Sequence, residues 1–372
     1  MSFADRSSDL GHARIAIIGA GLIGLSCAWR LARRGASVTI YDAGQAGRGA
    51  SWAAAGMLAP AFEAAGEDSA HPALFSLCMK SASLWPAFAR ALETDSASEI
   101  GFHAGPSLAL ARTPSEQNLL ERISARLAAE SVDYETVSPD AVRQRESAVT
   151  GQVSEALLLP TDGQVDNRRV VSALVAACQA SPHFQLKEYH RQVSAQNVLE
   201  SHDHVIVTAG WQSGTLLHVH VPLQPIGGQL LSVARRRDMP AMTLRSGSLY
   251  IAPKHDRVVI GATVEPGEVR TGTDPADIRQ MQVAAAALCS SLADVPILEA
   301  WSGVRPGTPD GAPIIQQVAP SVIAAAGHYR NGVLLAPITA QIVEEMISGG
   351  SPSEFAAAFT AHRFQPAPVS AL

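Results

Sequence analysis

The chain has 372 residues, of which 47% are hydrophobic and 17% charged, with a formal net charge of −6. Such a length points to two intertwined domains, and the composition excludes an intrinsically disordered chain. The acidic balance offers no general basic surface for nucleic acid or anionic lipid, and no stretch has the ~20 apolar residues of a membrane span. No nucleic-acid or membrane partner is therefore expected.

Residues 1–13 are polar and read as a disordered lead-in. The uncharged run Ile15 to Trp29 could pass for the apolar segment of a secretory signal, but three glycines spaced for a turn suit a signal helix poorly. A nucleotide site explains the run better. Ile15 to Ile18 makes a short buried strand, and Gly19 lets the chain turn sharply. Gly21 lets the backbone approach a pyrophosphate, and Gly24 lets helix and strand pack closely. Leu22 and Ile23 then open a helix whose free N–H groups face the phosphates. Asp42 closes a second strand, Ser37 to Tyr41, 23 residues after Gly19, where a ribose hydroxyl needs a carboxylate.

Gly47 to Pro60 is a run of small residues leaving that second strand. A nicotinamide enzyme would normally enter an amphipathic helix there; small residues instead let backbone N–H groups crowd around an extended cofactor. Further along, Thr113-Pro-Ser-Glu116, Ser138-Pro139 and Asp274-Pro-Ala-Asp277 carry helix-start signals and predict helices over about 114–131, 139–145 and 275–292. Leu249 to Pro253 and Arg257 to Thr263 have the length and β-branching of two strands joined by a short turn, so the strand-rich middle predicts an antiparallel sheet. His204 to Gly210 and Ser321 to Gly327 return to the buried-strand style of the first forty residues. A helix is expected from about Trp211, and another from Val333 to Ile347, ending at Gly349-Gly350. Strands near 15, 38, 205 and 323 imply a discontinuous, Rossmann-like α/β domain with a parallel sheet, over 14–88, 151–215 and 303–364. An α+β domain with an antiparallel sheet takes 89–150 and 216–302.

Cys27, Cys78, Cys178 and Cys289 are scattered, form no CxxC and read as buried reduced thiols, which fits a cytoplasmic location. The twelve histidines form no HxxxH pattern, so no metal site is expected.

The glycine fingerprint, the 47–60 loop, Val205 to Gly214, Trp301 to Gly311 and Gly327 to Pro337 together resemble the FAD-dependent D-amino-acid oxidase superfamily. The likeness runs from about residue 14 to 350 and is nearest to the glycine-oxidase branch of the thiamine pathway. It implies a homo-oligomeric flavoenzyme, dimer or tetramer. Glycine, sarcosine or a small D-amino acid would be oxidised to the imine or 2-oxo acid, dioxygen would become hydrogen peroxide, and the imine would supply thiazole synthesis. Around the FAD, the resemblance places Gly19, Gly21, Leu22, Ile23, Gly24, Asp42 and Ala43 at the adenylate half. Ala50, Ser51, Ala55, Gly56 and Met57 follow from the loop, Val193 and Gly210 from the middle, and His328, Tyr329, Arg330, Asn331, Gly332, Val333 and Leu334 from the last turn. Covalent relatives attach flavin through a cysteine near the segment after Trp301; Gly303 and its neighbours offer none, so non-covalent FAD is expected.

Arg305 stands in an apolar neighbourhood and needs an anion, either an internal acid or a substrate carboxylate matching its planar fork. The resemblance makes Arg305 the carboxylate anchor, gives Tyr250 a second hydrogen bond to that carboxylate, and lets Arg330 reach substrate or flavin. Tyr250 is otherwise an ordinary strand tyrosine, and His328 is either a flavin neighbour or a structural histidine. The protein supplies position and electrostatics and the cofactor supplies the chemistry, so no general base is expected. Ser248 and Val264 flank the pocket with small side chains and permit substrates larger than glycine. Two rivals are a D-amino-acid dehydrogenase passing electrons to a quinone, which needs a membrane-contacting segment, and a tRNA-modifying FAD oxidase, which the acidic balance disfavours. Asp42 replaces a more usual glutamate, and the eleven residues between Val193 and Val205 leave no room for an outer hairpin.

Overall fold

The computed structural model describes residues 10–66, 71–217, 221–349 and 354–364. Its first sheet is built around the apolar strand Arg14–Ile18, which pairs in parallel with Ser37–Tyr41 on one side and His204–Val207 on the other. Strands buried on both faces read as continuous apolar runs, and these do. The six strands run in the order Ile314–Ala319, Val322–Ala326, His204–Val207, Arg14–Ile18, Ser37–Tyr41, Phe184–Lys187, and only the first of these is antiparallel to its neighbour. Helices Leu22–Ala32, Leu74–Ser96, Asn167–Gln179 and Ala336–Ile347 pack together on this sheet. Trp29 and Trp85 meet Phe88 edge-on, each at 5.1 Å, in the centre of that layer.

The second sheet has nine strands and is antiparallel except where Thr243–Ser246 runs parallel to Ser107–Ala111. It contains the expected hairpin, Leu249–Pro253 with Arg257–Gly261, and two eleven-residue strands, Gln224–Ala234 and Ile297–Gly307, paired along their length. Helix Pro275–Leu288 covers its far face.

Several elements differ from their sequence-based expectations. Glu155–Leu159 was expected in the Rossmann-like domain but pairs antiparallel with Ser107–Ala111 in the second sheet; its apolar face finds that partner before the chain returns to helix Asn167–Gln179. Ile297–Gly307 likewise crosses the expected boundary at 303 as one unbroken strand. Thr113 makes a full capping box with Glu116, yet the helix stops at Ala129. Asp274 caps Ala276 N–H, whereas Asp277 accepts from Gln229 instead of closing a box, and that helix stops at Leu288. Past Gly210 there is only a 3₁₀ turn and the four-residue helix Ser213–Leu216. The last helix starts at Ala336, not Val333, after a 3₁₀ turn at Tyr329–Asn331. Of the expected lead-in, residues 1–9 lie outside the described residues, while Leu10 donates to Arg34 O at 3.0 Å and so joins the fold. Gly350 is also outside them.

Gly24 shows why the turn needs glycine. A Cβ there would lie 2.0 Å from Gly19 O and 2.6 Å from Thr208 Oγ1. Gly24→Ala is expected to destabilise the protein by about 1–3 kcal/mol, the usual range for overpacking. Thermal unfolding of the two proteins measures this, and an unchanged midpoint would contradict it.

Candidate active site

A cavity of about 600 Å³ starts at the carboxyl ends of the parallel strands, beside Gly19 and Gly21, and ends on the second sheet at Tyr250 and Arg305. Open α/β sheets place ligands at that edge. The glycine turn is held from three directions. Asp42 accepts Ala20 N–H at 2.7 Å and Gly44 N–H at 2.8 Å, Thr208 Oγ1 donates to Gly19 O at 2.8 Å, and Ser51 Oγ accepts Leu22 N–H at 2.8 Å. Ser51 therefore meets the first free N–H of helix Leu22–Ala32, and Asn167 fixes the Ser51 carbonyl at 2.7 Å. The sequence had marked Ser51 but neither Thr208 nor Asn167, whose partners are far away in the chain.

Ile23, Ala43, Ala50, Ala55, Gly56, Met57, Val193 and Gly210 border the same cavity, as do His328, Tyr329, Arg330, Asn331, Gly332 and Val333. Gly24 and Leu334 do not. Gly24 packs inside the turn, and the Leu334 carbonyl accepts from Ser81 and Trp85 in the core. At Gly21 an added Cβ would lie 3.3 Å from Ser51 Oγ, and at Gly303 it would lie 2.3 Å from Ala53 Cβ. Backbone and small side chains thus line a long channel beside a helix N-terminus, which fits an extended dinucleotide. None of the four buried cysteines borders it.

At the other end, Arg305 Nη1 donates to Gly227 O at 3.1 Å and Thr263 O at 3.3 Å. Gly228 leaves room for it, since a Cβ there would lie 2.2 Å from Nη1. Among the described residues Arg305 pairs with no carboxylate, so the internal-acid alternative is not what the structure contains. The Tyr250 ring lies over Gly261, where a Cβ would come within 2.4 Å of its hydroxyl. Burial pushes that hydroxyl above the usual phenol range despite the nearby guanidinium groups of Arg305 and Arg245, so it stays a donor. Ser248 and Val264 border this end.

Arg330 also borders it, but its Nη1 contacts Glu63 Oε2 at 3.3 Å. Glu63 in turn pairs with Arg245 at 2.5 Å. Burial would raise the Glu63 carboxyl, but the charges of Arg245 and then Arg330 outweigh it and hold it at about 2. Neither Glu63 nor Arg245 was marked in the sequence. The His328 imidazole is buried against Thr339 Oγ1 at 3.0 Å, and burial pushes it down to about 3. Its side chain is a neutral structural group in a residue that borders the cavity.

A family model described as FAD dependent oxidoreductase matches residues 14–346. The bifunctional protein ThiO/ThiG of Trichormus variabilis is 32% identical over 371 residues, covering 94% of this chain and 55% of that protein. The chain thus spans about half the length of such two-function relatives. The glycine oxidase of Geobacillus kaustophilus is 31% identical over 355 residues, 90% of this chain and 92% of that protein. The crystal structure of glycine oxidase from Geobacillus kaustophilus has a TM-score of 0.86 at 27% identity, over 95% of this chain and 100% of that one.

The His328 shift has a stability consequence. The folded state refuses a proton that the unfolded chain takes up near 6.5, so this group's contribution is present above that value and is lost as the pH falls from 6.5 towards about 3. His328→Gln is expected to flatten the acid-side decline of the denaturation midpoint across that window. An unchanged slope in urea titrations would contradict the assignment.

Proposed function

This chain belongs to the FAD-dependent oxidoreductase family, and we propose that it oxidises the Cα–N bond of glycine, sarcosine or a small D-amino acid to the imine. The imine then hydrolyses or feeds thiazole synthesis for thiamine. Bound FAD supplies the electron-accepting chemistry and returns the electrons to dioxygen as hydrogen peroxide. The observation that carries the reading is Arg305, a part-buried guanidinium on the cavity wall with no carboxylate partner among the described residues.

A carboxylate fills that need, because two parallel N–H···O bonds match its geometry. Tyr250, protonated and beside Arg305, donates a second hydrogen bond and fixes the direction from which the α-carbon faces the cofactor. Arg330 closes the same end. The amine loses its extra proton to solvent before oxidation. No side chain is needed as a base: His328, the one imidazole at this end among the described residues, is already paired with Thr339. The small walls at Ser248 and Val264 leave space for one extra methyl, a difference worth only ~1–3 kcal/mol in an apolar pocket. The FAD is held without a covalent bond by the turn at Gly19 to Gly24, the 50–57 loop and the 328–333 turn. We place the enzyme in the cytoplasm as a homo-oligomer; four buried free cysteines accord with a reducing compartment.

Purified protein is expected to be yellow, to release its flavin on acid precipitation, and to make peroxide with at least one of glycine, sarcosine and D-alanine. Arg305→Met should retain flavin while raising the amino-acid KM roughly 30-fold or more, the loss expected when a desolvated charge pair loses one partner. An unchanged KM would remove the anchor role.

A further inference from the structure

Arg245 lies on strand Thr243–Ser246, behind the cavity wall, with only 2% of its surface reaching solvent. Its Nη2 donates to Glu63 Oε1 at 2.5 Å, its Nη1 contacts Met57 Sδ at 3.3 Å, and its Nε has no partner. The guanidinium covers the Phe62 ring at 4.0 Å and stands 5.7 Å from the Tyr250 ring. Glu63, on the turn Pro60–Ala64, gives its other oxygen to Arg330. Replacing such a buried pair with apolar groups is often neutral or stabilising, so stability does not explain why these two charges are here. What they touch does. Met57, Tyr250 and Arg330 all border the end of the cavity where the substrate carboxylate would bind.

Arg305, Arg245 and Arg330 bring positive charge near Tyr250 and Glu63 brings negative charge, while Arg270, which borders the same cavity, is paired with Glu265. Asp162 is a further acid behind this wall. Its oxygens accept Ala61 N–H at 2.8 Å and Phe62 N–H at 3.0 Å, and burial pushes its carboxyl up to about 7, so below that value it is neutral. Three guanidinium groups, those of Arg305, Arg245 and Arg330, thus stand near the place of a bound carboxylate and its amine. A positive charge nearby disfavours an ammonium group and favours the free amine.

We propose that Glu63 and Arg245 are positioning residues which hold Arg330 at the substrate and set the charge of the chamber, so that the bound amino acid carries a neutral amine ready for oxidation. This rests on the amine-oxidase reading given above. In this arrangement Glu63 orients Arg330, and Arg245 cancels the charge that Glu63 would otherwise present to the amine. The departing proton goes to solvent.

The test compares FAD-loaded wild type with Arg245→Met, Glu63→Gln and the double variant, which restores the original net charge with near-isosteric neutral groups. One readout is acetate affinity, from the perturbation of the flavin spectrum; the other is the acidic limb of kcat/KM against pH for the best amine. Arg245→Met is expected to weaken acetate about tenfold and to move the limb up by about one pH unit, the size of shift that one nearby charge produces. Glu63→Gln should move the limb down, and the double variant should return it close to wild type. Arg245→Lys, which keeps the charge if the methionine variant fails to fold, should leave the limb in place. Displacement of both single variants in the same direction, or a double variant that stays displaced, would overturn the proposal. Wild-type protein that neither bound acetate nor oxidised an amine would instead overturn the amine-oxidase reading.

Discussion

The second sheet meets the small-residue loop, at its short helix Ala50–Ala53, where Gly303 presses on Ala53, and everything at the substrate end depends on how closely they approach. A Cβ on Gly303 would lie 2.3 Å from Ala53 Cβ, so no larger residue fits without separating them. Two residues earlier on the same face of the strand, Trp301 Nε1 donates to Ala53 O at 3.0 Å and fixes the contact. Two residues later comes Arg305. Strand alternation thus puts a clamp, a gap and a cation in one line along Ile297–Gly307, and the small-residue loop that follows the first βαβ turn is held against the first two. The cavity can then run unbroken from a helix N-terminus on one sheet to a guanidinium on the other.

Charge is distributed along that cavity in a way that burial makes consequential. At the nucleotide end Asp42 is committed to backbone N–H groups and shapes the turn. At the substrate end the arginines outnumber the acids, and the part-buried Arg305 has only carbonyl partners among the described residues. We propose that an anion completes this site, whereas Arg363 is already paired with Asp310 and Arg257 with Asp166. The same low-polarity surroundings keep Tyr250 protonated and His328 neutral, which leaves hydrogen-bond donors rather than bases around the space for the substrate.

Much of this was legible in the chain because it is local. The turn at Gly19 to Gly24 states its own geometry, since each glycine answers a contact made within a few residues or with the next parallel strand. Tyr250 was placed correctly on its hairpin by the β-branched pattern around it. Glu63 and Arg245 were not legible: they are separated by 182 residues, and neither has a neighbour in sequence that announces a buried ion pair. Glu155–Leu159 was placed with the Rossmann-like domain, although it pairs in the second sheet, for a related reason. A short apolar run specifies a buried strand but not its partner. The start of the last helix was misplaced because Tyr329–Asn331 first makes a tight 3₁₀ turn, which carries the backbone along the cavity before regular helix begins at Ala336.

Mixing the yellow protein anaerobically with glycine, sarcosine or D-alanine, and then admitting air, joins the cofactor end of this cavity to the carboxylate end in one measurement. At least one of these amino acids should bleach the flavin absorbance, and air should restore it with peroxide equimolar to the amine consumed. A flavin that stays oxidised with all three, or one that bleaches but is not reoxidised by dioxygen, would contradict an amine oxidase built around Arg305.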